Sequence, residues 1–216
     1  MKNKATKIIT IVFGILLAFA GFEHGLFETL QGNKPTGGCF VPSIGPEIRW
    51  WIHGTEDAVT LIPNYLITGI CAMCVGISIM VWSLFYLDKK HSATVFLILF
   101  ILLVLVGGGV GFIPFFITTW AYATRMNKSL DWWKRKIKPK KDKRISASWL
   151  YTLIGVALCW LIAIEIAIFG YVPGIEDPDT RLAICWWFLL FAYILIHVTY
   201  ILGFVYDIKS GSTQPK

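Results

Sequence analysis

His24, Glu28 and Gln31 recur at i, i+4 and i+7 in the stretch GFEHGLFETLQG. On a helix this spacing puts all three on one face. They follow an apolar run, IITIVFGILLAFAGF, at residues 8–22. If the helix begins near Ile8, His24 lies about 24 Å along it. Ionisable groups at such a depth in a bilayer are costly and mark a functional site or a tight internal pair. Two chemistries fit the spacing. His24 and Glu28 could ligate a metal, although zinc asks for a third ligand and no H-E-x-x-H is present. Alternatively the stripe is a hydrogen-bonded cluster that binds a small substrate, carries a proton or locks helices together.

Further polar residues can reach the same level. Glu165 stands deep in an otherwise apolar run, and we expect it protonated or partnered with His24 or Asn64. Pro63 removes a backbone donor, and Asn64 and Thr68 follow it one turn apart. The expected site is an outward-facing pocket lined by His24, Glu28, Gln31, Asn64 and Glu165. His197, on a face with Trp186, Tyr193 and Tyr200, reads as a core histidine. A haem shared by His24 and His197 would need to bridge roughly 14 Å of depth. The C-x-x-C at Cys71 and Cys74 falls mid-helix, away from the helix N-terminus that activates a thiol, and reads as small apolar packing. No resident cofactor is expected, and the sequence offers no phosphate loop, no dinucleotide fingerprint and no Ser-His-Asp arrangement.

The elements that position these residues follow from composition. The chain has 216 residues, of which 56% are hydrophobic and 15% charged, with mean hydropathy +0.65. Soluble domains carry about 25% charged residues. Disorder, a disulfide scaffold and an ordinary soluble enzyme are excluded. The fold class is all-α, a polytopic helical membrane protein. Apolar runs predict spans over about 8–29, 58–87, 92–107, 112–127, 146–170 and 182–206. The third and fourth come from one run of 33 residues, 92–124, which Gly107, Gly108, Gly109 and Gly111 divide into two short helices.

Charge placement selects six spans with both termini inside. Seventeen Lys and Arg residues then lie inside, ten of them between Arg125 and Arg144, and three outside: Lys34, Arg49 and Arg181. Five spans would put fourteen outside. The location expected is the cytoplasmic membrane of a prokaryote. Ala18-Phe19-Ala20 also reads as a signal-peptide cleavage site, but the apolar stretch runs on past it as an anchor would.

The remaining segments are an outer loop over 30–57 and a basic inner loop over 128–145. Pro46 and Gly54 bracket a predicted interfacial helix anchored by Trp50 and Trp51. The basic loop suits anionic lipid headgroups at about 1 kcal/mol per cation. Its charges are already required by topology, which argues against nucleic acid. Gly14, Ala18, Gly21 and Gly25 form a small-residue stripe that suits close helix approach, either in a homo-oligomer or within one chain.

The segments Gly21-x-x-His24-Gly25-x-x-Glu28-x-Leu30-Gln31-Gly32, Ile62-Pro63-Asn64-x-Leu66-x-Thr68-Gly69, Val106-Gly107-Gly108-Gly109-x-Gly111 and Ala123-Thr124-Arg125-Met126-Asn127 resemble a family of uncharacterised prokaryotic polytopic membrane proteins. The resemblance covers roughly the first 130 residues. It implies a membrane fold and no particular chemistry. Three functions therefore stand open: binding or transport of a small substrate or proton, a metal-dependent enzyme at the membrane surface using His24 and Glu28, and a structural or accessory protein.

Overall fold

The computed structural model describes residues 3–137 and 148–212. Helix α1 runs Lys4–Leu30 and is followed by two short strands, β1 (Phe40–Pro42) and β2 (Asp57–Val59). Then come α2 (Tyr65–Phe85), α3 (Ser92–Leu105), α4 (Ile113–Ala123), α5 (Asp131–Ile137), α6 (Trp149–Phe169) and α7 (Pro178–Ser212). Four of these, α1, α2, α6 and α7, are long and apolar enough to cross a membrane.

Helices α3 and α4 are shorter. At 1.5 Å per residue they extend about 21 Å and 17 Å, less than the roughly 30 Å of a hydrocarbon core. They form a helical hairpin split at the glycines, as the sequence suggests. Gly107 and Gly109 take φ of +106° and +80° at its apex, where a side chain would be strained.

The apex is not left bare. Strands β1 and β2 pair antiparallel, with Val41 opposite Ala58. The unwound stretch 106–110 lies along β2. Gly107 N–H donates to the Val59 carbonyl at 2.9 Å, Val110 N–H to Asp57 at 3.1 Å, and Leu61 N–H to Leu105 at 2.9 Å. Backbone groups at membrane depth need such partners. This small ribbon corrects two sequence expectations. The second apolar run begins as strand and turn, and α2 starts only at Tyr65, after Pro63. Residues 46–54 are a chain of turns rather than an interfacial helix.

Trp50 and Trp51 pin that loop to the bundle. Trp51 Nε1 donates to the Ala167 carbonyl at 3.0 Å. Trp50 packs edge-on against Phe27 and Phe169. His53 reaches Asp179, at the start of α7, at 2.9 Å.

The small-residue stripe is used inside the chain. A Cβ on Gly25 would meet the Gly69 carbonyl of α2, and one on Gly69 would meet that of Gly25. Gly14 faces Ser83 and Gly21 faces Leu103. At the opposite end of the bundle from the ribbon, Asp207 of α7 accepts from Ala5 and Thr6. Lys7 pairs with Asp88, after α2. Asn3 Nδ2 donates to the Arg125 and Lys128 carbonyls at 2.7 and 2.9 Å. The start of α1 and the last turns of α7 therefore share one end of the bundle. The basic residues Lys138, Lys140, Lys141, Lys143 and Arg144 of the expected 128–145 loop lie outside the described residues, as do Lys2 and Lys216.

Candidate functional site

His24 is 6% exposed, and both of its ring nitrogens are engaged. Nδ1 lies 2.5 Å from Ser43 Oγ. Nε2 meets Glu56 Oε2. Phe112, just before α4, packs edge-on against the ring at 5.3 Å. Gly109 lies against the ring too closely to carry a side chain. Helix α1, the outer loop and the hairpin apex together fix one imidazole orientation.

These residues line a small cleft of about 30 Å³ with Glu23, Phe27, Ile44, Ile164, Ala167 and Ile168. One wall is polar and carries two carboxylates. The other is apolar and comes from α6. Ser43 is 1% exposed, while the Glu56 side chain is 34% exposed. Glu165, on α6, is exposed and interacts electrostatically with Glu23.

Of the five residues expected to share one pocket, His24 alone lines this cleft. Glu28 is fully buried, and neither of its carboxylate oxygens has a hydrogen-bond partner. It faces Gly107 at the hairpin apex. Gln31 Nε2 donates to the Pro42 and Ser43 carbonyls, both at 2.9 Å, and so ties the ribbon to α1. Asn64 caps α2, accepting from Ile67 N–H at 3.1 Å, and donates to Asn33 at 2.7 Å. The expected partnership of Glu165 with His24 or Asn64 does not form. His24 is taken by Ser43 and Glu56, and Asn64 by Asn33.

A metal held by His24 and Glu28 fits poorly with this arrangement, because the ring nitrogens already have partners. Among the described residues no group of three or more His, Cys, Asp or Glu is arranged to hold a metal ion. His197 is half-buried, with Tyr122 Oη 3.2 Å from Nδ1 and Tyr193 edge-on. Cys71 and Cys74 are free thiols, and Cys74 faces outward from the bundle rather than inward.

Ser43 and Glu56 were not among the candidates read from sequence. Each sits in an irregular loop, 19 and 32 residues from His24. No helical or strand period links them to it. The available signal was weak: a carboxylate next to a three-residue strand.

No family model, no curated protein and no solved structure matches this chain.

Proposed function

We propose that the chain is an integral protein of a prokaryotic cytoplasmic membrane that takes a small substrate, or a proton, into a polar pocket at the outer leaflet. In this reading α3 and α4 complete six membrane segments, and both termini are cytoplasmic. Support comes from the shared position of the start of α1 and the last turns of α7 and from the basic residues, which gather at that end. The exposed cations Lys134, Arg135 and Lys136 of α5 suit anionic headgroups.

One observation carries the site: a buried histidine held between Ser43 and Glu56 on the polar wall of a cleft whose other wall is apolar. Binding sites pair apolar walls with a few fixed polar groups. Two carboxylates with no Lys or Arg among the lining residues favour a ligand with a positively charged or hydrogen-bond-donating head on an apolar body. Titration of purified protein with small organic amines tests this. Glu56→Gln and Glu23→Gln should each weaken binding about tenfold or more, as loss of a charged hydrogen bond does. Unchanged amine affinity in both variants would rule out the cleft as the site.

The order Ser43–His24–Glu56 favours a second reading, an acyl-transfer enzyme. A serine hydroxyl bonded to an imidazole whose far nitrogen is held by a carboxylate is the arrangement that activates a nucleophile. Ser43 Oγ would attack an ester carbonyl and pass its proton to His24. His24 would return that proton to the departing alcohol, and water would then release the acyl group from Ser43. A fluorophosphonate adduct on Ser43, absent in His24→Gln, would select this reading over simple binding.

A further inference from the structure

Glu28 is separate from the cleft and demands its own account. Its carboxylate is enclosed by three elements. Helix α1 supplies it, and the unwound stretch between α3 and α4 lies against it at Gly107, where a Cβ would collide with both oxygens. The first turn of α2 closes the third side. There Tyr65 interacts electrostatically with Glu28, and Thr68 Oγ1 donates to the Val106 carbonyl at 2.8 Å. Thr60 and Thr68 hydroxyls meet at 2.5 Å directly beside the apex.

Among the described residues no cation pairs with Glu28, and Lys34 Nζ lies over the Tyr65 ring, 5.9 Å from its centroid. Tyr65 is the titratable side chain facing Glu28 from α2. The ribbon contributes Val41 and Ala58, which pack with Tyr65, and Asp57 is exposed. His24, one turn along α1, is turned to Ser43 and Glu56. Glu28 is not among the described ion pairs, and both its oxygens lack a hydrogen-bond donor. Burying a carboxylate without donor or cation costs several kcal/mol. Here the two acceptor oxygens lie against Gly107, at the point where the chain breaks between α3 and α4, and leave room for a small cation to serve as their partner. Broken helices and unwound carbonyls serve this purpose inside membranes.

We propose that Glu28, with the unwound backbone at 106–109, forms a site for a small monovalent cation, Na⁺ or a proton, and that its occupation holds the α3–α4 hairpin against α1. A single carboxylate and neutral oxygens match one positive charge rather than two. The hairpin is stitched to the outer ribbon, so ion binding at Glu28 bears on the loop that carries Ser43 and Glu56. The site stands whether or not the cleft binds amines.

The test is modification of the full chain in detergent by dicyclohexylcarbodiimide. A carboxyl group adds across the reagent, its oxygen to carbon and its proton to nitrogen, and rearranges to a stable acylurea. Peptide mass spectrometry reads the position. The expected result is an adduct on Glu28 whose rate falls severalfold as pH rises. If Na⁺ is the ion, NaCl protects where choline chloride does not. If the proton is the ion, the two salts give the same rate. Absence of the Glu28 adduct while Glu23 or Glu56 is modified overturns the proposal, as does a rate indifferent to both pH and Na⁺. Glu28→Gln supplies a second measurement. It should abolish the dependence of the thermal midpoint on Na⁺ or pH seen for the wild type, and an unchanged dependence in a folded, monodisperse variant overturns the proposal.

Discussion

Asp207, near the end of the last helix, caps the first turn of the first. It accepts from the Thr6 backbone N–H at 3.0 Å and the Thr6 hydroxyl at 2.6 Å, and from Ala5 N–H at 2.8 Å. Helix N-termini leave backbone donors unpaired, and Asn3, at the N-cap position, makes no side-chain cap of its own. A carboxylate from residue 207 does what a local Ser or Asp does elsewhere, and it also meets the positive end of the helix dipole. The chain is thus closed between its two ends.

Asp207 is 4% exposed, so its loss leaves buried N–H groups without acceptors. Asp207→Ala should cost about 2–4 kcal/mol in stability, taking a cap at roughly 1 kcal/mol and a buried unpaired donor at 1–3. Asp207→Asn keeps one acceptor and should cost less. Thermal unfolding in detergent, followed by circular dichroism, gives the ranking. Equal midpoints for wild type and Asp207→Ala would show that the cap contributes nothing.

The contact of α1 with α2 sets a second expectation. At Gly25 an added Cβ would lie 2.5 Å from the Gly69 carbonyl oxygen and 2.8 Å from Met73 N. Both are backbone atoms and cannot rotate away. Gly25→Ala should therefore force the helices apart and destabilise by about 1–3 kcal/mol or more, as overpacking does. Gly111→Ala is the control, since nothing lies within 4 Å of its Cβ position and its φ is not positive. The variants should separate clearly in thermal midpoint and in monodispersity on size exclusion.

These two cases show what was legible in the sequence. Glycines at 14, 21 and 25 recur at helical spacing, and their partners lie on two neighbouring apolar helices, α2 and α3, so close packing could be anticipated. The break at 107–109 was also legible, because glycine alone tolerates those φ values. Asp207 was not. Its role depends on a partner some 200 residues away, and an acid near a basic tail looks solvated. Glu56 was hidden for the same reason, in a loop without period. The mistaken helix at 46–54 arose because Pro and Gly bracket turns as well as helices.

Gln31 links the sequence stripe to the ribbon, and its removal should loosen Ser43 without touching His24. Gln31→Ala deletes two hydrogen bonds, to the Pro42 and Ser43 carbonyls, worth roughly 1–3 kcal/mol together. Hydrogen exchange should speed up at residues 40–45 and 56–59 while the helices α6 and α7 stay protected. If exchange rises evenly across the chain, the side chain stabilises the whole bundle rather than the ribbon.

Topology can be read from one native thiol. Cys39 is exposed and directly precedes β1, at the ribbon end of the bundle. Lys90 follows α2, beside the Lys7–Asp88 pair at the end where the start of α1 meets the last turns of α7. With the positive charges inside, a membrane-impermeant maleimide should label Cys39 in intact cells. In a Cys39→Ser background, Lys90→Cys should label only after the membrane is opened. Cys74 lies in α2 between these levels and faces outward from the bundle, so lipid should shield it from the charged reagent in both states. The reverse order of labelling would place the ribbon and its cleft on the cytoplasmic side, and with them the ligand that Glu23, His24 and Glu56 are arranged to meet.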